Sequence, residues 1–217
     1  MYPEIVKNLI RIFADLPGVS ERAATRYVFH FLKKPKKDID EFIENLDRLK
    51  KEIALCSKCY NIAQVSETGP RPASPGLEKS PNLCVICQNK ERREDQVCLV
   101  EKISDIDRIE SMHFYNGVYH VLTGLINPVK GITPQKLTFN RLVSRLKEFK
   151  RQEKTPELIL ALNPTREGDL TVNYTKEILA PLKIKITRLA RGIPTGGELQ
   201  YADEDTLKES FTQRKTL

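Results

Sequence analysis

The sequence predicts an α+β protein built of several small domains. These are an N-terminal helical hairpin, a four-cysteine metal site, an α/β domain with a mostly parallel sheet, and a short C-terminal segment. Three observations carry this reading. Apolar residues recur at helical spacing up to Ile53; four of the five cysteines then fall in two close pairs within an irregular stretch; from Val97 onward short apolar runs alternate with amphipathic ones.

The elements follow in chain order. Ile5, Leu9, Ile12, Phe13 and Leu16 form one helical stripe, which Pro17-Gly18 brings to an end. Ser20 is placed to cap a second helix carrying Ala24, Tyr27, Val28, Phe31 and Leu32. The stretch Lys33–Lys37, with Pro35 inside it, interrupts the pattern. A third helix then presents Ile39, Phe42, Ile43, Leu46, Leu49 and Ile53 on one face. Three such helices barely close a core and are expected to lean on a neighbour. Boundaries are expected at 1–53 for the helical domain, 54–94 for the cysteine-rich segment, 95–192 for the α/β domain and 193–217 for the tail.

In the cysteine-rich segment, Cys56-Ser57-Lys58-Cys59 and Cys84-Val85-Ile86-Cys87 are two C-x-x-C knuckles separated by 24 residues. A two-residue spacer lets one turn present both thiolates to one ion, and tetrahedral zinc takes four such ligands at about 2.3 Å. Cys56, Cys59, Cys84 and Cys87 are therefore expected to hold one structural Zn2+ per chain, with no coordination position left for a substrate. Buried, reduced thiols are the simpler alternative. Metal ligation would also stabilise a stretch too poor in apolar residues to fold alone. The loop 60–83, with Thr68-Gly69-Pro70-Arg71-Pro72 and Ser74-Pro75-Gly76, reads as an extrusion from the site. Cys98 falls in a strand pattern, where it serves as a small buried hydrophobe.

Strands are expected at Val97–Val100, Val118–Leu122, Leu158–Leu162 and Ile184–Leu189. Helices are expected at Ile103–Ser111, Thr138–Lys150 and Thr171–Leu182. Alternation of this kind implies a mostly parallel sheet covered by helices. Gly192–Leu217 offers no clear element. Its acidic cluster Asp203-Glu204-Asp205 reads as a solvated loop, with a partner or ATP-linked surface as the alternative.

Composition narrows the partners only slightly. The net charge of +7 favours an anionic partner, but the excess is spread along the chain. No apolar run reaches membrane-spanning length, and the start of the chain lacks a signal-peptide layout, so a cytoplasmic location is expected. Five cysteines, an odd number, also argue against a disulfide framework.

The turn Leu16-Pro17-Gly18-Val19-Ser20 resembles a helix-hairpin-helix. A tight turn opening a helix aims free backbone N–H groups at a phosphate, and Gly18 permits close approach. Arg22 and Arg26, four apart, fall on one face beyond the turn, where guanidinium groups reach neighbouring phosphates without reading sequence. An ordinary hairpin with a solvated arginine face is the competing reading.

At the strand ends, Glu101 follows Val97–Val100, and Asn163-Pro164-Thr165-Arg166-Glu167-Gly168-Asp169 follows Leu158–Leu162. The layout resembles the Toprim domain of topoisomerases and primases, in which a glutamate and an Asp-x-Asp pair hold magnesium. Glu101 matches the glutamate, but Asn163 and Thr165 occupy the two aspartate positions. Neutral amide and hydroxyl groups are poor ligands for a hard dication, so no catalytic residue is assigned.

Taken in order, these pieces are similar to the RecR family of bacterial recombination mediators. The matching stretches are Leu16-Pro17-Gly18-Val19, the four cysteines, Cys98-Leu99-Val100-Glu101, Asn163-Pro164-Thr165 with Glu167-Gly168, and Gly192-Ile193-Pro194-Thr195-Gly196-Gly197-Glu198-Leu199. The resemblance covers about residues 5 to 207. Two departures stand out: the cysteine loop is longer, and Ser20 replaces a glycine usual in the turn. The resemblance implies a Toprim-like α/β domain and a homotetrameric ring on double-stranded and gapped DNA, closed through N- and C-terminal contacts. It also implies a Toprim surface, including Glu101 and Glu167, that meets RecO or RecF to help load RecA on SSB-coated strands. Two alternatives remain. One is a magnesium-dependent Toprim nuclease or primase-like enzyme using Glu101, Glu167 and Asp169; the other is a zinc-ribbon module that binds only proteins.

Overall fold

The computed structural model describes residues 2–65, 82–152 and 155–214. The proline- and glycine-rich part of the cysteine loop, Thr68–Gly76, lies outside the described residues. The chain divides into two compact units, Met1–Ile53 and Ala54–Leu217.

The first unit consists of α1 (Glu4–Ala14), α2 (Glu21–Leu32) and α3 (Lys36–Glu52). Ser20 caps α2 as its position predicts, its Oγ accepting the Ala23 amide at 3.3 Å. Pro35 precedes α3, where its missing N–H costs nothing. Among the described residues of this unit only Ile10, Ala24 and Val28 are buried, with Val6, Phe13, Ala14 and Val19 packed around them. The α3 helix buries no side chain, and Phe42, Ile43, Leu46 and Leu49 remain largely exposed. The helices form as expected but enclose little.

Two short strands, β1 (Ile53–Leu55), within which the second unit begins, and β2 (Ile62–Gln64), pair with each other and flank the first knuckle. The second knuckle carries the single-turn α4 (Val85–Gln88). There follow β3 (Arg93–Val100), α5 (Ile103–Glu110), β4 (Gly117–Val121), α6 (Phe139–Arg151), β5 (Glu157–Ala161), α7 (Arg166–Leu179), β6 (Lys185–Arg188) and α8 (Glu204–Thr212). The main sheet runs β4-β3-β5-β6, and every pairing is parallel. This is the mixed architecture, with its parallel α/β sheet, that the sequence predicts.

The two faces of that sheet bury different partners, because successive strand residues point to opposite sides. Val97, Leu99, Val118, Leu158 and Leu160 face one core with Phe139, Leu142 and Leu146 of α6 and Val172 and Leu179 of α7. Each fully buried leucine there contributes about 1.5–3 kcal/mol. Cys98, Val100, Tyr119 and Val121 face the other core, which Ile106 of α5 shares with Cys56, Cys59, Cys84, Ala63 and Ile86. The cysteine module is thus part of the hydrophobic core on that face. The Val121 amide donates to the Cys59 carbonyl at 2.9 Å, tying the first knuckle to the edge strand β4.

Three elements differ from the sequence reading. The α7 helix begins at Arg166, five residues before the expected Thr171, because Thr165 caps it by accepting the Gly168 amide at 3.1 Å. The acidic cluster is no loop: Asp203 caps α8, its Oδ1 accepting the Thr206 amide at 2.9 Å, and Glu204 and Asp205 lie in the first turn, where acidic groups suit the helix dipole. The β3 strand starts at Arg93 and not Val97, extended by its parallel pairing with β4 and β5. Among the described residues no helix is long and apolar enough to cross a membrane.

Candidate metal centre and strand-end site

The four knuckle cysteines converge. Their Sγ atoms all lie within 4.8 Å of one another, and Cys59 and Cys84 approach to 3.5 Å. Four ligands at about 2.3 Å around one tetrahedral ion stand about 3.8 Å apart, so the cage has the size that such an ion requires. Backbone hydrogen bonds build it. Cys56 N donates to Asn61 O at 2.7 Å and Tyr60 N to Cys56 O at 3.0 Å, closing the first knuckle, with Tyr60 in the left-handed region. Gln88 N donates to Cys84 O at 3.0 Å in the second. Asn82 O accepts the Ser57 amide at 2.9 Å and joins the two.

Hydrogen bonding among the thiols drives their titrations apart, holding Cys56 down toward thiolate and pushing Cys59 and Cys87 up. A dication ligated by all four displaces the protons that remain. Among the described residues this is the one cluster of three or more metal-ligating side chains. Cys98 stands outside it, and burial raises its thiol to about 12, as befits an inert core residue. The module is further fastened by Arg92, which binds the Glu110 carboxylate of α5 through both Nη atoms, with Nη1 at 2.9 Å from Oε1. The Arg92 hydrogen bonds outweigh burial and hold Glu110 below the usual carboxylate range.

At the carboxyl ends of β3 and β5, Glu101 and Asn163 meet. The Asn163 Nδ2 donates to Glu101 Oε2 at 2.9 Å, and Lys102 Nζ stands 3.3 Å from Oε1. The amide therefore satisfies the carboxylate that a metal would otherwise engage. Thr165 spends its hydroxyl on the helix cap. Glu167 accepts from Asn127 Nδ2 at 3.2 Å. Asp169 binds Arg188 at 2.6 Å and also Arg191; burial pushes its carboxyl up, but these two hydrogen bonds outweigh that and hold it low. Glu101, Glu167 and Asp169 are each held by other partners and do not converge on a common point. Gly168 is required for close packing, since a Cβ there would stand 2.0 Å from Asn163 O.

In the first unit, Gly18 adopts φ +78, a conformation that glycine reaches without strain, and nothing lies within 4 Å of where a Cβ would stand. Arg22 and Arg26 are exposed on α2, and neither forms an ion pair among the described residues. His120 carries no sequence motif that marks it. It is fully buried in β4, bonded to Thr138 Oγ1 at 3.0 Å, with Arg145 on the covering helix donating to the adjacent Tyr119 carbonyl at 2.6 Å. Burial above all, and then the Arg145 charge, lower its pKa to about 3.

Comparison with known proteins agrees with this geometry. A family profile described as Toprim domain matches residues 95–190, and one described as RecR, C-terminal, matches residues 192–215. The chain is 38% identical over 216 residues to the recombination protein RecR of Clostridium perfringens, covering 100% of this chain and 98% of that one. It is equally 38% identical to the recombination proteins RecR of Staphylococcus saprophyticus and Staphylococcus aureus, covering 99% of each. With a four-cysteine cage, a parallel Toprim sheet and full-length similarity of this order, the chain belongs to the RecR family.

Proposed function

We propose that this chain is a non-catalytic DNA-binding scaffold of recombinational repair. It acts as a homotetrameric clamp on double-stranded and gapped DNA, working with RecO or RecF to load RecA on SSB-coated strands. One Zn2+ per chain, held by Cys56, Cys59, Cys84 and Cys87, would lock the cysteine module to the sheet; thiolate donors in a tetrahedral set favour that ion. The ion would supply structure and no reaction step, because all four positions are filled by protein.

The observation that carries the non-catalytic reading is the Asn163–Glu101 hydrogen bond at 2.9 Å. A neutral amide sits where an anionic metal ligand would be needed, and its donor occupies the remaining carboxylate. Nucleotidyl chemistry on two metals needs a concentration of anionic oxygen that this corner lacks. Glu101 and Glu167, spared that role, are proposed to face a protein partner.

DNA contact is proposed through Gly18, Arg22 and Arg26. The left-handed turn at Gly18 leaves room for a phosphate, and two exposed cations follow on the same helix. Self-assembly is favoured by apolar surface that the chain leaves uncovered. An apolar hollow of about 250 Å³ lies among Leu9, Phe13, Phe31, Phe42 and Ile43. At the other end Leu199, Tyr201 and Phe211 are each at least 60% exposed, on a segment with no buried helix side chain. Surface of this kind is what subunit interfaces cover.

Binding to duplex and gapped DNA across a salt series, with native mass on the same sample, tests this reading. It predicts four subunits, and a salt slope that falls by about one for each of Arg22→Ala and Arg26→Ala. A monomer with unaltered slopes in both variants contradicts it.

A further inference from the structure

The two knuckles do not protect their sulfurs equally. In the first, the amide two residues after the second cysteine points at sulfur: Asn61 N donates to Cys59 Sγ at 3.4 Å. In the second, the corresponding amide, Asn89 N, is turned into the helical bond to Val85 O at 3.2 Å. Among the described residues no backbone donor to Cys87 Sγ is seen. An N–H donor withdraws electron density from a ligating thiolate, so of the two second-position sulfurs Cys87 is the more nucleophilic when both ligate.

Exposure singles out the same residue. Cys56, Cys59 and Cys84 are each 1% exposed, whereas Cys87 is only partly buried. It opens on a cleft of about 930 Å³ bordered by Lys58, Lys90 and Arg92 together with Glu94 and Asp95. A single-turn helix causes both effects, taking the amide from the sulfur and leaving the sulfur at the rim.

We infer that Cys87 is the oxidant-sensitive ligand of the cage, a modification site at which hydrogen peroxide disassembles the metal centre. Its thiolate attacks one peroxide oxygen. An S–O bond forms, the O–O bond breaks, hydroxide leaves and takes a proton from solvent, and sulfur is oxidised by two electrons to the sulfenic acid. One of the three neighbouring thiolates, all within 4.8 Å, then attacks that sulfur. The disulfide forms, the sulfenic oxygen departs as water after protonation, and the ion loses two ligands and is released. Each peroxide thus yields one disulfide and two waters.

The inference rests on the zinc reading proposed above, and metal content measured before oxidation tests that reading separately. The full chain loaded with zinc is exposed to less than one equivalent of hydrogen peroxide. A dimedone probe then traps sulfenic acid, and peptide mapping assigns it. Cys87 is expected to carry most of the label, and Cys98 none. Label spread evenly over the four ligands, or greatest at Cys56 or Cys59, overturns the inference. In a second arm Cys87→His keeps a nitrogen ligand and removes the nucleophile. Zinc release under peroxide, followed with a chromogenic chelator, is expected to slow about tenfold; an unchanged rate contradicts the assignment.

Discussion

Two corners of the second unit could each hold a cation, and they are built on opposite principles. The cysteine cage turns four identical ligands toward one another, all within 4.8 Å. The strand-end corner keeps acidic residues but assigns each to something else: Glu101 to Asn163, Glu167 to Asn127, Asp169 to Arg188 and Arg191. One site gathers its ligands around a single point. The other has completed itself with protein donors. The difference shows that metal chemistry depends less on counting ligands than on whether the fold leaves them unsatisfied.

The strongest way to break the comparison is to empty the cage. Structural zinc ligation contributes on the order of 10 kcal/mol, and here the sulfurs are also core residues. Chelation, or Cys59→Ser, is expected to abolish stoichiometric metal and to expose the amides of Cys56, Tyr60 and Gln88 to hydrogen exchange. Protection that survives metal removal contradicts this. Next in size is Gly168→Ala, which forces a methyl against Asn163 O and should cost about 3 kcal/mol in denaturant unfolding. A loss under 1 kcal/mol would mean that the loop yields freely.

A sharper test reverses the substitution at the strand end. Asn163→Asp replaces a donor with a second carboxylate beside Glu101, so stability should fall by about 1–3 kcal/mol without divalent ions. Millimolar magnesium should restore part of it in the variant and nothing in the parent. A variant as stable as the parent without magnesium would show that the amide contributes little.

The most gradual effect concerns His120. Its folded pKa, about 3, lies below the ordinary 6.5, so the unfolded chain takes up the proton first as pH falls. Its contribution is full above about pH 6.5 and drains away toward pH 3, at about 1.4 kcal/mol per pH unit. His120→Gln should flatten the stability profile between those limits by that slope. Identical slopes would place the histidine in a wetter setting than its burial implies.

The sequence revealed the cage more fully than the corner. Ligand spacing is local, so Cys56-x-x-Cys59 and Cys84-x-x-Cys87 announce themselves. Their merging with Cys98, Val100 and Tyr119 into one core leaves no periodic trace and needs the fold. The α7 start was hidden because Arg166-Glu167 offers no apolar stripe, although Thr165 is a recognisable cap once its hydrogen bond is seen. The α8 helix was hidden for a related reason: it buries nothing, so its pattern carries little amphipathic signal. The Asn163–Glu101 bond joins residues 62 apart in sequence, a contact that only the parallel β3–β5 pairing creates. What the sequence could supply was the chemistry of the two residue types, a neutral amide where an acid was wanted.

The most direct measurement of the central claim is manganese binding at the strand end of the zinc-loaded chain, followed by electron paramagnetic resonance, alongside a strand-cleavage assay with saturating manganese or magnesium. No bound manganese that depends on Glu101 and no cleavage are expected, with Glu101→Gln indistinguishable from the parent in both. Stoichiometric manganese lost in Glu101→Gln, together with cleavage lost in the same variant, would contradict it.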